Sequence, residues 1–286
     1  MASLCVSRCA IAATFVALAL SGCGSCDPVN APPPNAIDSV LAEGGPPDDK
    51  HVLVVVGDSI TQGTIGHRWA EDVAAALGDD WFVVNAGTNG EVAYEVAERL
   101  LQVAACDPDV VTVLIGTNDV MLDYAVDFGE QAVADRNLPE RSNVSFYREQ
   151  LTRISTTLSS TTSAQVALLS VPTVGENPEE DVWALTASYA AVAEEVAADT
   201  GVVYGPLHED MVAALEALPR RETPSMDNWL SLVTDGVFKH ATGQSWDAIG
   251  EDLGFYMHSD HLHLDEDGAA LITSIVLDVV NDAETD

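Results

Sequence analysis

The sequence predicts an α/β domain in which a parallel sheet lies between two helical layers, a three-layer α/β/α sandwich. Three observations predict it. Short apolar runs rich in β-branched residues alternate with longer stretches of helical spacing along residues 51–286. The runs are unbroken rather than alternating, as expected of strands buried on both faces of a parallel sheet. Several of them end in small or polar clusters, the composition of strand-to-helix turns.

The first strand is Val52-Leu53-Val54-Val55-Val56, which runs directly into Gly57-Asp58-Ser59-Ile60-Thr61. Residues 69–77 show helical spacing and stop at Gly78. A second strand, Trp81-Phe82-Val83-Val84, leads into Asn85-Ala86-Gly87-Thr88-Asn89-Gly90, and residues 91–105 read as one helix. The third strand covers 110–115 and enters Gly116-Thr117-Asn118-Asp119. A polar helix is expected at 143–159, a fourth strand at 165–171 ahead of Pro172, and an alanine-rich helix at 181–199. A short fifth strand at 202–204 and a final helix at 267–280 complete the alternation, so the sheet is expected to be five-stranded. Two stretches do not fit it: 121–141 reads as a loop or short helix, and 218–257 as a long irregular segment. The second holds Trp229, Phe238, Trp246, Phe255 and Tyr256, an aromatic content that argues for an ordered cap over a site.

Ahead of the domain the chain has another character. Residues 9–20 are apolar and uncharged, fewer than the roughly 20 residues a membrane-spanning helix needs, so a secretory leader is expected. The Leu20-Ser21-Gly22-Cys23 that follows is similar to the lipobox of bacterial lipoproteins. That similarity implies cleavage before Cys23, acylation of its thiol, and export to the cell envelope with attachment to a bilayer. The resulting division is a leader at 1–22, a Pro/Gly-rich tether at 23–50 containing Pro32-Pro33-Pro34 and Gly44-Gly45-Pro46-Pro47, and the domain at 51–286. Cys26 and Cys106 are then expected as free thiols. Eleven Lys+Arg against 46 Asp+Glu give a formal charge of −35, a surface that repels phosphate backbones and excludes a nucleic-acid role.

The chemistry is expected where strands end. Ligands of open α/β sheets bind beyond the carboxyl ends of the strands, and Ser59, Gly87 to Gly90 and Asn118 all follow such ends. Glycine lets a backbone N–H approach a developing oxyanion, and an asparagine amide adds a donor. A base is available in Ser259-Asp260-His261-Leu262-His263-Leu264-Asp265, where a histidine three residues after an aspartate can be held in one tautomer by a carboxylate.

These four blocks, Gly57-Asp58-Ser59, Asn85 to Gly90, Gly116-Thr117-Asn118-Asp119 and Asp260-His261-Leu262-His263, resemble in content and order those of the SGNH hydrolases, the GDSL esterase/lipase family. The resemblance implies Ser59 as nucleophile, His263 as general base and Asp260 as its partner. It implies an oxyanion hole from the Ser59 N–H, the Gly90 N–H and the Asn118 side chain, with Gly87 as the alternative to Gly90. It implies a flavodoxin-like three-layer fold, no metal and no organic cofactor, and a serine ester hydrolase acting through an acyl-enzyme on a small or glycan-borne ester. The alternatives are an acyltransferase or deacetylase of cell-surface glycans, and a binding lipoprotein without catalysis.

Two competing assignments are weaker. Asp235-Gly236-Val237-Phe238 has phenylalanine where the family's Asp-Gly-Val-His block has an imidazole. His258, His261 and His263 with Asp260 and Asp265 could ligate a metal, but no second matching cluster accompanies them. An α/β-hydrolase elbow needs glycine where Thr61 stands, and no phosphate loop ending in Gly-Lys-Ser/Thr is present.

Overall fold

A computed structural model describes residues 32–285. The five strands are β1 (His51–Gly57), β2 (Trp81–Gly87), β3 (Val110–Leu114), β4 (Gln165–Leu169) and β5 (Val203–Gly205). All pair in parallel, in the order β2-β1-β3-β4-β5. The helices, in chain order, are α1 (Ile37–Ala42), α2 (Ser59–Gln62), α3 (Trp69–Leu77), α4 (Ala93–Glu98), α5 (Leu100–Ala104), α6 (Thr117–Tyr124), α7 (Val126–Arg136), α8 (Val144–Thr161), α9 (Asp181–Thr200), α10 (Leu207–Glu216), α11 (Trp229–Ala241), α12 (Trp246–Leu253) and α13 (Glu266–Ala283).

Alternation along the strands divides the core in two. Val52, Val54 and Val56 of β1 face a cluster with α1, α4, α5, α8 and α9, in which Tyr147, Ile154 and Tyr189 are buried. Leu53 and Val55 face the opposite cluster, with α3, α10 and α13, around Trp69, Met211 and Ile272. The sheet is therefore covered on both faces, which is why its strands are predominantly apolar.

The structure differs from the expected boundaries at several places. Within the expected tether, residues 35–42 pack against the domain rather than standing free of it. β2 is an edge strand, and Ala36 forms a parallel bridge with its Asn85, while the Asn35 side-chain amide donates to the Val83 carbonyl at 3.1 Å. Ile37 and Val40 of α1 are buried in the first cluster, so this segment both covers an open strand edge and adds apolar burial. The expected helix at 91–105 breaks at Arg99, whose ψ is 13° and whose guanidinium turns inward to the Ala86 carbonyl at 2.7 Å and to Glu91. The 121–141 stretch takes the helical alternative, with the end of α6 and the whole of α7. The 218–257 stretch carries α11 and α12, and the buried Gly236 of α11 faces Trp246 and Ile249 of α12. A glycine inside a weakly periodic stretch weakens its helical signal in the sequence. No helix among the described residues is long and apolar enough to cross a membrane. The leader, Cys23 and Cys26 lie outside the described residues. Cys106 is a free, buried thiol whose pKa burial pushes up to about 11, which makes it a poor nucleophile.

Candidate active site

The join between β1 and α2 places the serine. Gly57 ends the strand at a point where a Cβ would lie 2.2 Å from Thr61 Oγ1 and 2.3 Å from the Leu114 carbonyl, so only glycine fits. Asp58 caps α2 by accepting the Ile60 N–H at 3.0 Å, and Ser59 is the first helical residue. Ser59 is 8% exposed.

The last loop brings the imidazole. His263 Nε2 lies 2.9 Å from Ser59 Oγ, and its Nδ1 lies 2.9 Å from Asp260 Oδ2. Asp260 Oδ1 accepts the backbone N–H groups of Leu262 and His263 at 2.6 and 2.8 Å. Asp260 is buried, which opposes its charge, yet the His263 imidazole and these hydrogen bonds hold its pKa below the ordinary value. As a carboxylate it only accepts, so Nδ1 carries a proton and Nε2 is free to accept from the serine hydroxyl. Burial opposes the charged form of His263 as well, but Asp260 outweighs it and raises the imidazole pKa.

The histidine loop is braced from below. His258 Nδ1 lies 3.0 Å from Glu176 and its Nε2 lies 2.9 Å from the Thr173 carbonyl, so both ring nitrogens face acceptors and the imidazolium is favoured. Burial alone would lower its pKa, and Glu176 raises it. Glu176 also accepts the backbone N–H groups of Tyr256 and Met257. Asp265 closes the loop by capping α13 at the Gly268 N–H, 3.1 Å away. His261 is buried and edge-on to Phe255, and burial with the nearby His258 charge lowers its pKa to about 4, which keeps it neutral. None of these groups forms a metal cluster among the described residues.

The donor side separates Gly90 from Gly87. The Gly87 N–H already donates to Asn85 Oδ1 at 2.9 Å, and a Cβ there would lie 2.2 Å from the Gln62 nitrogen. Gly90 has φ +78° with open space around its Cα, and among the described residues neither its N–H nor that of Ser59 donates to another protein group. Asn118 Nδ2 donates to Asp58 Oδ2 at 3.2 Å and to the Glu91 carbonyl at 3.0 Å. Both amide protons are engaged, so a substrate oxygen must displace or share one of these acceptors to use Asn118.

Asp58 and Asp119 are the charged groups that motif reading passes over. Both are buried, and burial raises each to about 7. Asp119 accepts the Ala93 N–H at 2.9 Å and the Ser142 hydroxyl at 2.9 Å. Since its folded pKa lies above its ordinary 3.8, the folded state binds the proton more tightly, and stability falls as pH rises through about 4 to 7. Asp119→Asn can keep both hydrogen bonds, its amide donating to the Ser142 oxygen. Thermal melts should show it raising Tm by about 3–6 °C near pH 8 and leaving Tm unchanged near pH 4. An equal shift at both values sinks the assignment.

The 218–257 segment lies against the histidine loop. A Cβ on Gly250 of α12 would be 2.1 Å from the His258 carbonyl, and Asp247 accepts the Glu266 N–H at 3.0 Å. At its other end Trp229 meets Phe128 of α7 edge-on at 5.2 Å. Asp235-Gly236-Val237-Phe238 lies within α11.

A parallel α/β/α sandwich with a hydroxyl–imidazole–carboxylate chain at its carboxyl edge is the architecture of a serine hydrolase, and that is the class of this enzyme. Residues 55–271 match the GDSL-like lipase/acylhydrolase family, and a match of this extent means that the chain belongs to it. No curated protein matches the chain in sequence. Among solved structures it is similar to an acetylxylan esterase from Geobacillus stearothermophilus, at 16% identity over 80% of this chain and 94% of that one, with a TM-score of 0.57. It is also similar to LAE5, an alpha/beta hydrolase enzyme from the metagenome of Lake Arreo, Spain, at 18% identity over 81% and 95% of the two chains, with a TM-score of 0.57. At these identities the likeness is one of fold.

Proposed function

We propose that this enzyme hydrolyses carboxylic esters through an acyl-enzyme on Ser59, at a cell surface to which an acylated Cys23 attaches it. The observation that carries the chemistry is the pair of 2.9 Å contacts from Ser59 through His263 to Asp260. As Ser59 Oγ bonds to the carbonyl carbon, its proton passes to His263 Nε2, and Asp260 stabilises the imidazolium. The carbonyl oxygen takes up the negative charge against the Ser59 and Gly90 N–H groups and the Asn118 amide, which turns away from Glu91 or Asp58 to reach it. Collapse of this intermediate breaks the ester bond, and the leaving alcohol takes the proton from His263. Water then attacks the acyl carbon as it gives a proton to His263, and cleavage of the bond to Ser59 Oγ releases the acid while Oγ takes that proton back.

The acyl group of the acetylxylan esterases that share the fold favours a related version of this function, in which the ester is an acetyl group on a glycan. Product analysis with an acetylated oligosaccharide, with and without a second sugar acceptor, separates hydrolysis from transfer. For the function as a whole the test is covalent labelling. A fluorophosphonate should modify Ser59 in the native chain and not in His263→Ala, while in cells a palmitate analogue should label Cys23. Absence of serine labelling would leave a binding protein with a hydrolase fold. Absence of cysteine labelling would remove the anchor and leave the chemistry standing.

A further inference from the structure

A second concavity lies beside the segment that braces the histidine loop, lined in part by Glu176 and Tyr256. It is a cleft of about 270 Å³ between the start of α9, the end of α10 and residues 218–223. Trp183, Val212, Leu215 and Leu218 supply apolar walls, and Arg220 and Arg221 stand at its rim.

Eight arginines lie among the described residues, and seven are paired with a carboxylate: Arg68, Arg99, Arg136, Arg141, Arg148, Arg153 and Arg220. Arg221 is the eighth. Its guanidinium lies 3.7 Å above the Tyr256 ring and donates one N–H to the Phe255 carbonyl at 3.2 Å. In a chain with 46 acidic residues and 11 basic ones, an arginine that no carboxylate has claimed is the exception. Stacking fixes the plane of the guanidinium and leaves donors along its edge, the arrangement that receives a carboxylate in two parallel hydrogen bonds. Arg220 is held only by Glu179, and side chains that are 72% and 79% exposed make an ion pair that exchanges partners easily. Glu216 and Glu176 also line the cleft and limit the negative charge it can receive, although Glu176 is engaged by His258 and two backbone N–H groups.

We propose that this cleft is a second ligand site, which takes a small organic monocarboxylate with an apolar body. The apolar walls receive the hydrocarbon and Arg221 the carboxylate, while Glu216 disfavours dianions such as phosphate. Occupancy also reaches the catalytic loop. Tyr256, under Arg221, shares its backbone anchor Glu176 with Met257 and His258, and both Tyr256 and Glu176 line the cleft. Ester hydrolysis releases a carboxylic acid, so a bound acid would report product to the loop that carries His263. That effect on turnover rests on the ester-hydrolase function proposed above, whereas the binding itself does not.

Calorimetric titration of the Ser59→Ala chain reads binding without turnover. Benzoate and hexanoate distinguish an aryl from an alkyl body, and benzamide and inorganic phosphate are the controls. At least one acid should bind saturably at one site with Kd of about 0.1–5 mM, and both controls at least about tenfold more weakly. Arg221→Gln should weaken the acid by about tenfold or more, as should Leu218→Asp, which places a charge on an exposed part of the wall without disturbing the core. The site is refuted if neither acid saturates, if benzamide equals benzoate, or if both variants bind as the parent does. Loss of p-nitrophenyl acetate hydrolysis in the parent with acid binding intact would overturn the hydrolase function alone.

Discussion

Ser59→Ala and His263→Ala should each lower kcat for p-nitrophenyl acetate and butyrate by at least about 10³-fold. KM should move little in either, because the groups act on the transition state rather than on ground-state binding. The two changes remove opposite ends of one contact, Oγ to Nε2 at 2.9 Å, so they should not be additive. Ser59→Ala combined with His263→Ala is expected to be no slower than the worse single variant. Ser59 is the first residue of α2, where its side chain makes no cap, so circular dichroism should show an unchanged fold. A variant that keeps more than a tenth of parental kcat removes that residue from the chemistry. Two independent losses that multiply would mean that serine and histidine serve different steps.

Much of this arrangement is legible in the sequence because the strands are short, apolar and followed by unambiguous turn residues. Val52 to Val56 could only be buried on two faces, and Gly57-Asp58-Ser59 had to begin the next element. What escapes is long-range side-chain chemistry. Nothing in the local pattern around Glu176 signals that its carboxylate holds the loop bearing His263, because its partners lie 80 to 82 residues away. Arg99 interrupts a helical pattern for the sake of carbonyls on two other strands, a tertiary override that propensity does not register. Residues 33–50 look like a tether by composition, since prolines and glycines recur and large apolar residues are few. The need of the β2 edge for a partner is visible only once the strand order is known. In the same way, the choice between Gly87 and Gly90 turns on which N–H is already engaged, a matter of hydrogen bonds rather than of motif.

Asp260→Asn should cost nearly as much as loss of the histidine, about 10³–10⁴-fold in kcat, although it removes no atom from contact with substrate. Asp260 has two duties on two oxygens. Oδ1 organises the loop by accepting the Leu262 and His263 N–H groups, and Oδ2 faces His263 Nδ1. An asparagine can keep its carbonyl oxygen on the loop, which leaves its amide NH₂ facing Nδ1. Two donors then oppose each other unless the imidazole moves its proton to Nε2, and in that tautomer it cannot accept from Ser59. The loop should therefore remain folded while the base is disabled, whereas Asp260→Ala should lose both and melt at lower temperature. The pH profile distinguishes orientation from charge. A general base must be neutral, and Asp260 raises the His263 pKa, so the acid limb of kcat/KM in the parent lies above the ordinary histidine value of 6.5. With the carboxylate gone, burial is the dominant remaining influence and lowers that pKa, so the residual activity of Asp260→Asn should persist to lower pH. If the acid limb stays where it was, Asp260 does not set the charge of His263. If kcat falls by less than about tenfold, the tautomer is not held by this contact.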